Sequence, residues 1–175
     1  MDARQRAARI KLMAFDIDGV MTDGGLIYTD DGRELKIFNV MDGLGLKFMQ
    51  RAGIELAIVT GRSSGVVAAR AADLGITHVF QGALDKRTAV ASLIERLGLH
   101  WPEVAFMGDD LIDLPAMTLC GFAVAPANAH RLVKERAHTV TAASGGKGAV
   151  REAVEFVLEA QGKLESIFAT YLDPQ

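Results

Sequence analysis

Five short apolar runs divide this chain, and segments with helical periodicity separate them. Continuous apolar runs of this length are typical of strands that are covered on both faces, as the strands of a parallel sheet are. Their alternation with helices predicts βαβ units. We therefore expect an α/β fold with a mainly parallel sheet between layers of helices. The runs are Ile10–Phe15, Leu56–Val59, His78–Phe80, Val104–Met107 and Phe122–Val124.

The intervening segments repeat their apolar residues with the 3.6-residue period of a helix that packs one face on a core. One predicted stripe is Val90, Leu93, Ile94 and Leu97, and another is Val150, Ala153, Val154 and Val157. Three polar residues stand where helices are expected to begin. We predict that Asp85, Ser63 and Asn128 are N-caps.

Residues 24–39 depart from this alternation. Leu26–Thr29 and Glu34–Phe38 flank Asp30-Asp31-Gly32, a sequence that favours a hairpin turn. We expect a small β-hairpin inserted after the first strand of a single domain that spans residues 1–175. The last residues, about 165–175, are expected to form a tail.

The composition bounds the class of protein. Half of the residues are hydrophobic and 23% are charged, which indicates a globular protein. A net charge of -3 gives no reason to expect a nucleic acid or an anionic membrane as partner. The single cysteine, Cys120, suits a reducing compartment, and no apolar run approaches the roughly 20 residues of a membrane span. We expect a soluble cytoplasmic protein.

Polar side chains follow the predicted strands at the positions where ligands bind in open parallel sheets. Asp16 and Asp18 follow the first strand, Thr60 follows the second, and Lys86 opens the helix after the third. The fourth strand ends in the acidic run Gly108–Asp113. We expect these groups to converge on one crevice.

Carboxylates packed together repel one another, so this crevice is expected to bind a hard cation with oxygen ligands, such as Mg²⁺. A phosphate monoester would bring further negative charge, which the metal, Lys86 and the Thr60 hydroxyl could neutralise. One carboxylate could attack phosphorus and a second could move protons. The pattern therefore predicts a phosphatase.

The four signatures together resemble those of the haloacid dehalogenase superfamily: D-x-D-G, a strand-end Thr, a helix-start Lys and G-D-D-x-x-D. The resemblance implies a Rossmann-like three-layer domain in which Asp16 is the nucleophile and Asp18 the acid and base. It implies that Mg²⁺ is held by the Asp16 carboxylate, the Asp18 carbonyl and Asp109, and that Thr60 and Lys86 hold the phosphoryl group. Asp110 and Asp113 would act from behind these ligands.

A closer resemblance extends from about Lys11 to Leu164. The run D-G-R-E-L-K-x-F at Asp31–Phe38, together with Leu74–His78 and Ala160–Leu164, is similar to the 3-deoxy-D-manno-octulosonate (Kdo) 8-phosphate phosphatases of lipopolysaccharide synthesis. The family has no cap domain. It forms tetramers in which a neighbouring subunit helps to close the active site, so we expect a homotetramer whose contact involves the hairpin. The C-terminal tail is either a frayed end or a segment that reaches a neighbour's site.

The same resemblance implies a set of substrate contacts. Met41 stands where the family usually has arginine, so a related sugar acid, such as a nonulosonate 9-phosphate, stays open as the substrate. The predicted substrate-binding residues are Asp18, Asn39, Val40, Met41, Asp42, Gly43, Lys47, Arg62, Arg70 and Lys86.

Two other classes of protein share part of this pattern. A signalling receiver domain also combines acidic residues, a Thr and a Lys, but it needs an aspartate at the end of its third strand, where this chain has Val79-Phe80-Gln81. A catalytically silent binding domain is disfavoured by the complete acidic set. Gly145-Gly146-Lys147-Gly148 lacks the other residues of a phosphate-binding P-loop, and we interpret it as a turn into the last helix near the rim of the site.

Overall fold

The computed structural model describes residues 1–172 and contains eight strands in that range. Six of them form one sheet in which every pairing is parallel, in the order β5-β4-β1-β6-β7-β8, and β2 pairs with β3 in an antiparallel hairpin. The strands are β1 (Leu12–Phe15), β2 (Ile27–Tyr28), β3 (Glu34–Leu35), β4 (Glu55–Val59), β5 (His78–Phe80), β6 (Val104–Met107), β7 (Phe122–Ala125) and β8 (Thr139–Val140).

All five predicted strands are present, so the prediction of an α/β fold with a mainly parallel sheet is confirmed. The predicted bounds of β5 and β6 are those observed, and β1 begins two residues later than predicted. The strand β8 was not predicted because it has only two residues, one of them half-buried and the other exposed, and so carries no continuous apolar run. It pairs with β7 through its backbone.

Eight α-helices lie in residues 1–172. They are α1 (Ala3–Ala7), α2 (Val40–Arg51), α3 (Gly65–Leu74), α4 (Lys86–Leu97), α5 (Leu114–Met117), α6 (Arg131–Arg136), α7 (Ala149–Ala160) and α8 (Leu164–Leu172). Short 3-10 turns cover Trp101–Glu103 and Leu111–Asp113. None of these helices is long and apolar enough to cross a membrane.

One of the three predicted N-caps is confirmed. The Asp85 side chain accepts a hydrogen bond from the Thr88 amide at the start of α4. The prediction for Ser63 is wrong, because Ser64 precedes α3 and makes no capping bond through its side chain. The prediction for Asn128 is also wrong, because His130 caps α6.

The two faces of the sheet pack against different helices. Met13 and Phe15 of β1 point toward α1, α2, α3, α7 and α8, whereas Leu12 and Ala14 point toward α4, α5 and α6. All four side chains are buried. This alternation, in a strand with no polar residue, is why the strand reads as a continuous apolar run, and it confirms the three-layer architecture.

The hairpin is small and largely exposed. Its two strands pair over two residues each, and Gly32 turns the chain with a φ of +82°. Ile27, Tyr28, Leu35 and Ile37 are between 42% and 67% exposed. A two-stranded hairpin with apolar side chains in water is only marginally stable alone, so its position depends on contacts with the rest of the protein.

The predicted tail is helical as far as it is described. Within α8, Ile167 is buried, and Phe168 and Tyr171 lie 6.3 Å and 5.6 Å from the ring of Phe48 on α2. The remaining part of the predicted tail, residues 173–175, lies outside the described residues.

The loop before α7 lies directly on the loop that follows β1. The Asn128 side chain joins them, because its Nδ2 donates to the Gly19 carbonyl at 3.0 Å and its Oδ1 accepts from the Gly145 amide at 2.7 Å. Gly146 donates its amide to the Val20 carbonyl at 3.0 Å. A Cβ atom on Gly145 would overlap the carbonyl oxygen of Gly19. Only glycine therefore allows this approach of two backbones.

We predict that Gly145→Ala destabilises the protein by about 1–3 kcal/mol, the range typical of overpacking. The added methyl group must push Gly19 and its loop away. Urea denaturation followed by circular dichroism measures the change. Gly65→Ala is the matched control, because a Cβ there has no atom within 4 Å and alanine favours the helix. Equal urea midpoints for Gly145→Ala and the wild type would contradict the packing described.

Candidate active site

The predicted polar groups meet at the carboxyl ends of the sheet. Loops after β1, β4 and β6 surround a cleft of about 250 Å³. Lys86, at the first turn of α4, reaches the same place from below and is buried. The cleft is lined by Asp16, Asp18, Gly24, Thr60, Gly61, Arg62, Asp109, Asp110 and Ile112.

Lys86 forms the central ion pairs of the site. Its Nζ lies 2.8 Å from Oδ2 of Asp16 and 2.5 Å from Oδ1 of Asp113, and both the lysine and Asp113 side chains are fully buried. Burial lowers the pKa of Lys86, but Asp113 and Asp16 raise it more, so the pKa lies above its ordinary value. The lysine therefore stays charged and holds Asp16 in place. The second oxygen of Asp16 accepts from the Ile17 amide at 2.7 Å.

Asp113 has no oxygen left for another ligand. Its Oδ1 pairs with Lys86, and its Oδ2 accepts from the amides of Asp109 and Asp110 at 2.9 Å and 3.2 Å. Asp113 thus fixes the backbone that presents Asp109. Asp110 caps the 3-10 turn by accepting from the Leu111 amide at 2.7 Å. The expectation that these two residues act from behind metal ligands stays a prediction.

Asp109 is the cleft-lining carboxylate with a buried oxygen that the described residues leave without a partner. Within residues 1–172, its Oδ1 is buried and has no hydrogen-bond partner. Its other oxygen lies so close to Gly19 that a Cβ there would overlap it, and Gly19 has a φ of +86°. The glycine of the D-x-D-G signature therefore brings the β1 loop and Asp109 together.

The donor set fits a divalent cation with oxygen ligands. Asp16, Asp109 and Asp113 each place one carboxylate oxygen within 4.8 Å of the others. Asp16 and Asp109 line the cleft, whereas Asp113 is fully buried and is not among the lining residues, so Asp16 and Asp109 are the carboxylates placed to hold a metal. A hard cation such as Mg²⁺ takes carboxylate and carbonyl oxygens together with water.

The electrostatics of the site also require a cation. Burial, followed by the charges of Asp113 and Asp16, raises the pKa of Asp109 to about 7. Burial and Asp113 raise the pKa of Asp16 to about 6, against the opposing effect of Lys86. A bound cation would relieve this repulsion and favour the ionised carboxylates.

Asp18 is held from a different part of the protein. Lys36 of the hairpin places its Nζ 2.5 Å from Oδ1 of Asp18, and Arg62 Nε lies 3.6 Å from Oδ2. The sequence analysis did not single out Lys36. The signal was the alternation Glu34-Leu35-Lys36-Ile37, which puts both charged residues on one face of a strand.

The other predicted substrate residues surround the start of α2. The Asn39 side chain caps α2 by accepting from the Met41 amide at 2.7 Å, and Val40 and Met41 are 80% and 58% exposed. Asp42 is buried, and its carboxylate accepts from the Arg151 amide at 2.8 Å in the first turn of α7. Gly43 faces the guanidinium of Arg70.

The two remaining predicted cations are engaged with their own chain. Arg70 bonds to Asp73 at 2.7 Å and to the Asn39 carbonyl at 3.5 Å. Lys47 donates to the Leu74 carbonyl at the end of α3, at 2.5 Å. Of the predicted substrate residues, Asp18 and Arg62 line the cleft, Lys86 lies beneath it, and residues 39–43, Lys47 and Arg70 are not among the lining residues. The substrate roles of this outer group stay predictions.

Known proteins share this arrangement over nearly the whole chain. A family model of haloacid dehalogenase-like hydrolases matches residues 72–153. A Kdo 8-phosphate phosphatase of Yersinia pestis is 48% identical over 164 residues, which cover 94% of this chain and 88% of the relative.

Solved structures agree with the sequence comparison. The Kdo 8-phosphate phosphatase of Moraxella catarrhalis, in complex with a magnesium ion, a phosphate ion and a Kdo molecule, has a TM-score of 0.95 at 44% identity, and the match covers 97% of each chain. A probable YrbI family phosphatase of Pseudomonas syringae has a TM-score of 0.98 at 46% identity over 99% of each chain. The likeness in fold therefore extends over nearly the whole chain.

We predict that Mg²⁺ stabilises the protein more at about pH 8 than at about pH 5.5. The pKa of Asp109 is raised on folding, so the metal-free protein loses stability as pH rises from about 4 through about 7. Over the same interval its carboxylates become free to bind the metal. Mg²⁺ at ~100 times its Kd should add about 2.7 kcal/mol, or about 5–10 °C in Tm.

Differential scanning fluorimetry with Mg²⁺, and with KCl at equal ionic strength, measures this difference. Asp109→Asn should abolish the Mg²⁺ effect and should raise the Tm of the metal-free protein at about pH 8, because it removes one repelling charge. An equal Mg²⁺ effect at the two pH values would contradict the assignment of these carboxylates to a metal.

Proposed function

Because the chain belongs to the Kdo 8-phosphate phosphatase family of haloacid dehalogenase-like hydrolases, we propose that it hydrolyses Kdo 8-phosphate to Kdo and inorganic phosphate. This reaction belongs to lipopolysaccharide precursor synthesis. The observation that carries the proposal is the pair of carboxylates in one cleft, Asp16 held by Lys86 and Asp18 held by Lys36. A nucleophile and a proton carrier with separate supports are what a two-step phosphoryl transfer needs.

In the first step, a carboxylate oxygen of Asp16 attacks phosphorus, and the bond from phosphorus to the sugar oxygen breaks. Asp18 gives its proton to that oxygen, so Kdo leaves as an alcohol and an aspartyl-phosphate remains. The Lys86 ammonium, 2.8 Å from Asp16, stabilises negative charge beside the reacting carboxylate. The Thr60 side chain lines the same cleft and would donate to a phosphoryl oxygen.

In the second step, water attacks the phosphorus of the aspartyl-phosphate. Asp18, now a carboxylate, takes a proton from the water, and the bond between phosphorus and Asp16 breaks. Inorganic phosphate leaves and Asp16 is restored. Asp18 therefore acts as the acid in the first step and as the base in the second, and it ends the cycle protonated, as it began.

Magnesium is the proposed cofactor. The Asp16 and Asp109 carboxylates and the Asp18 carbonyl would hold it, while Asp113 and Asp110 hold the loop that carries Asp109. When bound, Mg²⁺ supplies the positive charge that lets a phosphate dianion enter a cleft already lined by carboxylates.

The sugar acid is proposed to contact cations around the cleft. Arg62 lines it and is 44% exposed at its side chain, and its planar guanidinium suits a carboxylate. Asn39, Val40, Met41, Asp42, Gly43, Lys47 and Arg70 complete the proposed sugar site as an outer group. Met41 supplies no charge there, which keeps a nonulosonate 9-phosphate as the second candidate substrate.

The proposed assembly is a homotetramer in which a neighbouring subunit closes the active site. The apolar surface of the hairpin supports this proposal, because Ile27, Tyr28, Leu35 and Ile37 are exposed next to the cleft-lining residue Arg62. A cytoplasmic location is proposed on chemical grounds. The thiol of Cys120 is free and buried, and its pKa is raised to about 12 by burial, which suits a protein that uses no disulfide.

We predict that the wild-type protein releases phosphate from Kdo 8-phosphate in the presence of Mg²⁺ and that Asp16→Asn lowers kcat by about 10⁴-fold or more, the scale of losing a nucleophile. A phosphate-release assay measures both. Glu135→Gln is the control, since it removes an exposed carboxylate on α6 that pairs with Arg131. An active Asp16→Asn protein, purified free of wild type, would end this proposal.

The same assay separates the alternatives. A higher kcat/KM for a nonulosonate 9-phosphate than for Kdo 8-phosphate would move the proposal to the second sugar. A phosphoprotein that persists for minutes without turnover would favour a receiver-like domain.

We predict that Ile37→Lys weakens the tetramer, because a charge would be buried in the contact that the hairpin makes. Sedimentation velocity should show a tetramer for the wild type and smaller species for the variant at the same concentration. Leu132→Lys is the control, since Leu132 is also exposed but lies on α6. A monomeric wild type, or an Ile37→Lys tetramer as stable as the wild type, would refute the proposed contact.

A further inference from the structure

Lys36 is a charged residue in a buried position. Its side chain is 1% exposed, although it belongs to a hairpin whose other side chains are mostly exposed. Burying an ammonium is costly unless carboxylates pair with it. Two of them do: Asp18 at 2.5 Å and Glu34 at 3.2 Å. The position of Lys36 is therefore set by its charge partners.

The hairpin reaches Asp18 through a connected network. Glu34, which pairs with Lys36, also bonds to the Arg62 guanidinium at 2.7 Å. Arg62 donates to the Tyr28 hydroxyl at 3.0 Å and lies 3.6 Å from Asp18. Both hairpin strands and the loop after β4 thus converge on one carboxylate.

The proposed nucleophile, Asp16, and the proposed proton carrier, Asp18, are oriented by different residues. Asp16 is buried and held by Lys86 and by its neighbouring amide. The Asp18 side chain is 20% exposed, and in the part of the chain that the structure describes its hydrogen-bond donor is Lys36. Without Lys36, the carboxylate would be free to rotate toward Arg62 or solvent.

We propose that Lys36 is the positioning residue for Asp18, and that it holds the carboxylate where it meets the leaving oxygen of the substrate. This inference rests on the proposed function, in which Asp18 protonates that oxygen. It makes the hairpin a working part of the active site within a single chain. The ion pairs of Lys36 within residues 1–172 are with Asp18 and Glu34, and none is with Asp16, so we expect its effect to act through Asp18.

The test compares Lys36→Met with the wild type on 4-nitrobenzyl phosphate and 4-nitrophenyl phosphate. The two esters share a ring, but the first leaves as an alkoxide that needs a proton and the second as a stable phenolate. The ratio kcat/KM reports only the steps up to formation of the aspartyl-phosphate. Hydrolysis of that intermediate therefore does not affect it. We expect Lys36→Met to lower kcat/KM for the benzyl ester by about 10²-fold and for the phenyl ester by less than about 5-fold.

Lys36→Arg keeps the charge and should recover much of the loss on the benzyl ester. Lys163→Met is the control, because Lys163 is half-buried and bonds to the Ala52 carbonyl at the opposite end of the sheet. If circular dichroism shows that Lys36→Met does not fold, Lys36→Gln serves the same comparison, since its amide still offers a donor to Glu34.

Each outcome separates the two claims. A wild-type protein that hydrolyses neither Kdo 8-phosphate nor the nitro esters would overturn the proposed function itself. A wild-type protein that is active, with a Lys36 variant that loses both esters equally or loses neither, would overturn the positioning role alone. A selective loss on the benzyl ester, recovered by Lys36→Arg, is the result that supports it.

Discussion

The ion pairs of Lys86 are the interaction on which the rest of the active site depends. A fully buried ammonium between Asp16 and Asp113 joins the loop after β1, the start of α4 and the loop after β6 at one point. Removing one partner would leave an uncompensated buried charge, which costs about 3–5 kcal/mol. Asp113 in turn fixes the position of Asp109, because its second oxygen accepts a hydrogen bond from the Asp109 amide. The relative positions of Asp16, Asp113 and Asp109 therefore depend on one lysine.

The carboxylates around Lys86 carry more negative charge than the lysine neutralises. Asp16, Asp109 and Asp113 carry three negative charges when ionised, and Lys86 carries one positive charge, so two negative charges remain. A divalent cation has the charge that this difference requires. In the metal-free protein, burial and the excess of negative charge raise the pKa values of Asp16 and Asp109. Binding of metal and substrate is thereby linked, because a phosphate dianion can approach Asp16 only after this excess is neutralised.

The sequence predicted the polar residues that stand at strand ends. It did not predict the contacts between residues that are distant in the chain. Asp16, Thr60, Lys86 and Asp109 were found because each follows an apolar run, and parallel topology brings such positions together. Lys36 was missed because the alternation of the hairpin strand puts it on one face with Glu34 but does not identify its partner Asp18, eighteen residues away. Asn128 was misread as an N-cap because its two backbone partners, Gly19 and Gly145, are distant in sequence. The bond from the Arg151 amide to Asp42 was also not predicted, because it joins two helices that are distant in sequence.

Asp16 and Asp18 are held by different parts of the protein. Their positions are therefore expected to respond differently to the binding of a neighbouring subunit. Asp16 is fixed by the buried core, so its position requires only that the chain be folded. Asp18 is fixed by a hairpin that pairs over two residues per strand and exposes most of its apolar side chains. A partner that covered those side chains would restrain Lys36 and therefore Asp18. In the proposed tetramer, the nucleophile would be ready in every folded subunit, whereas the proton carrier would be fully ordered only beside a neighbour. Proton transfer, rather than nucleophilic attack, would then be the step that assembly controls.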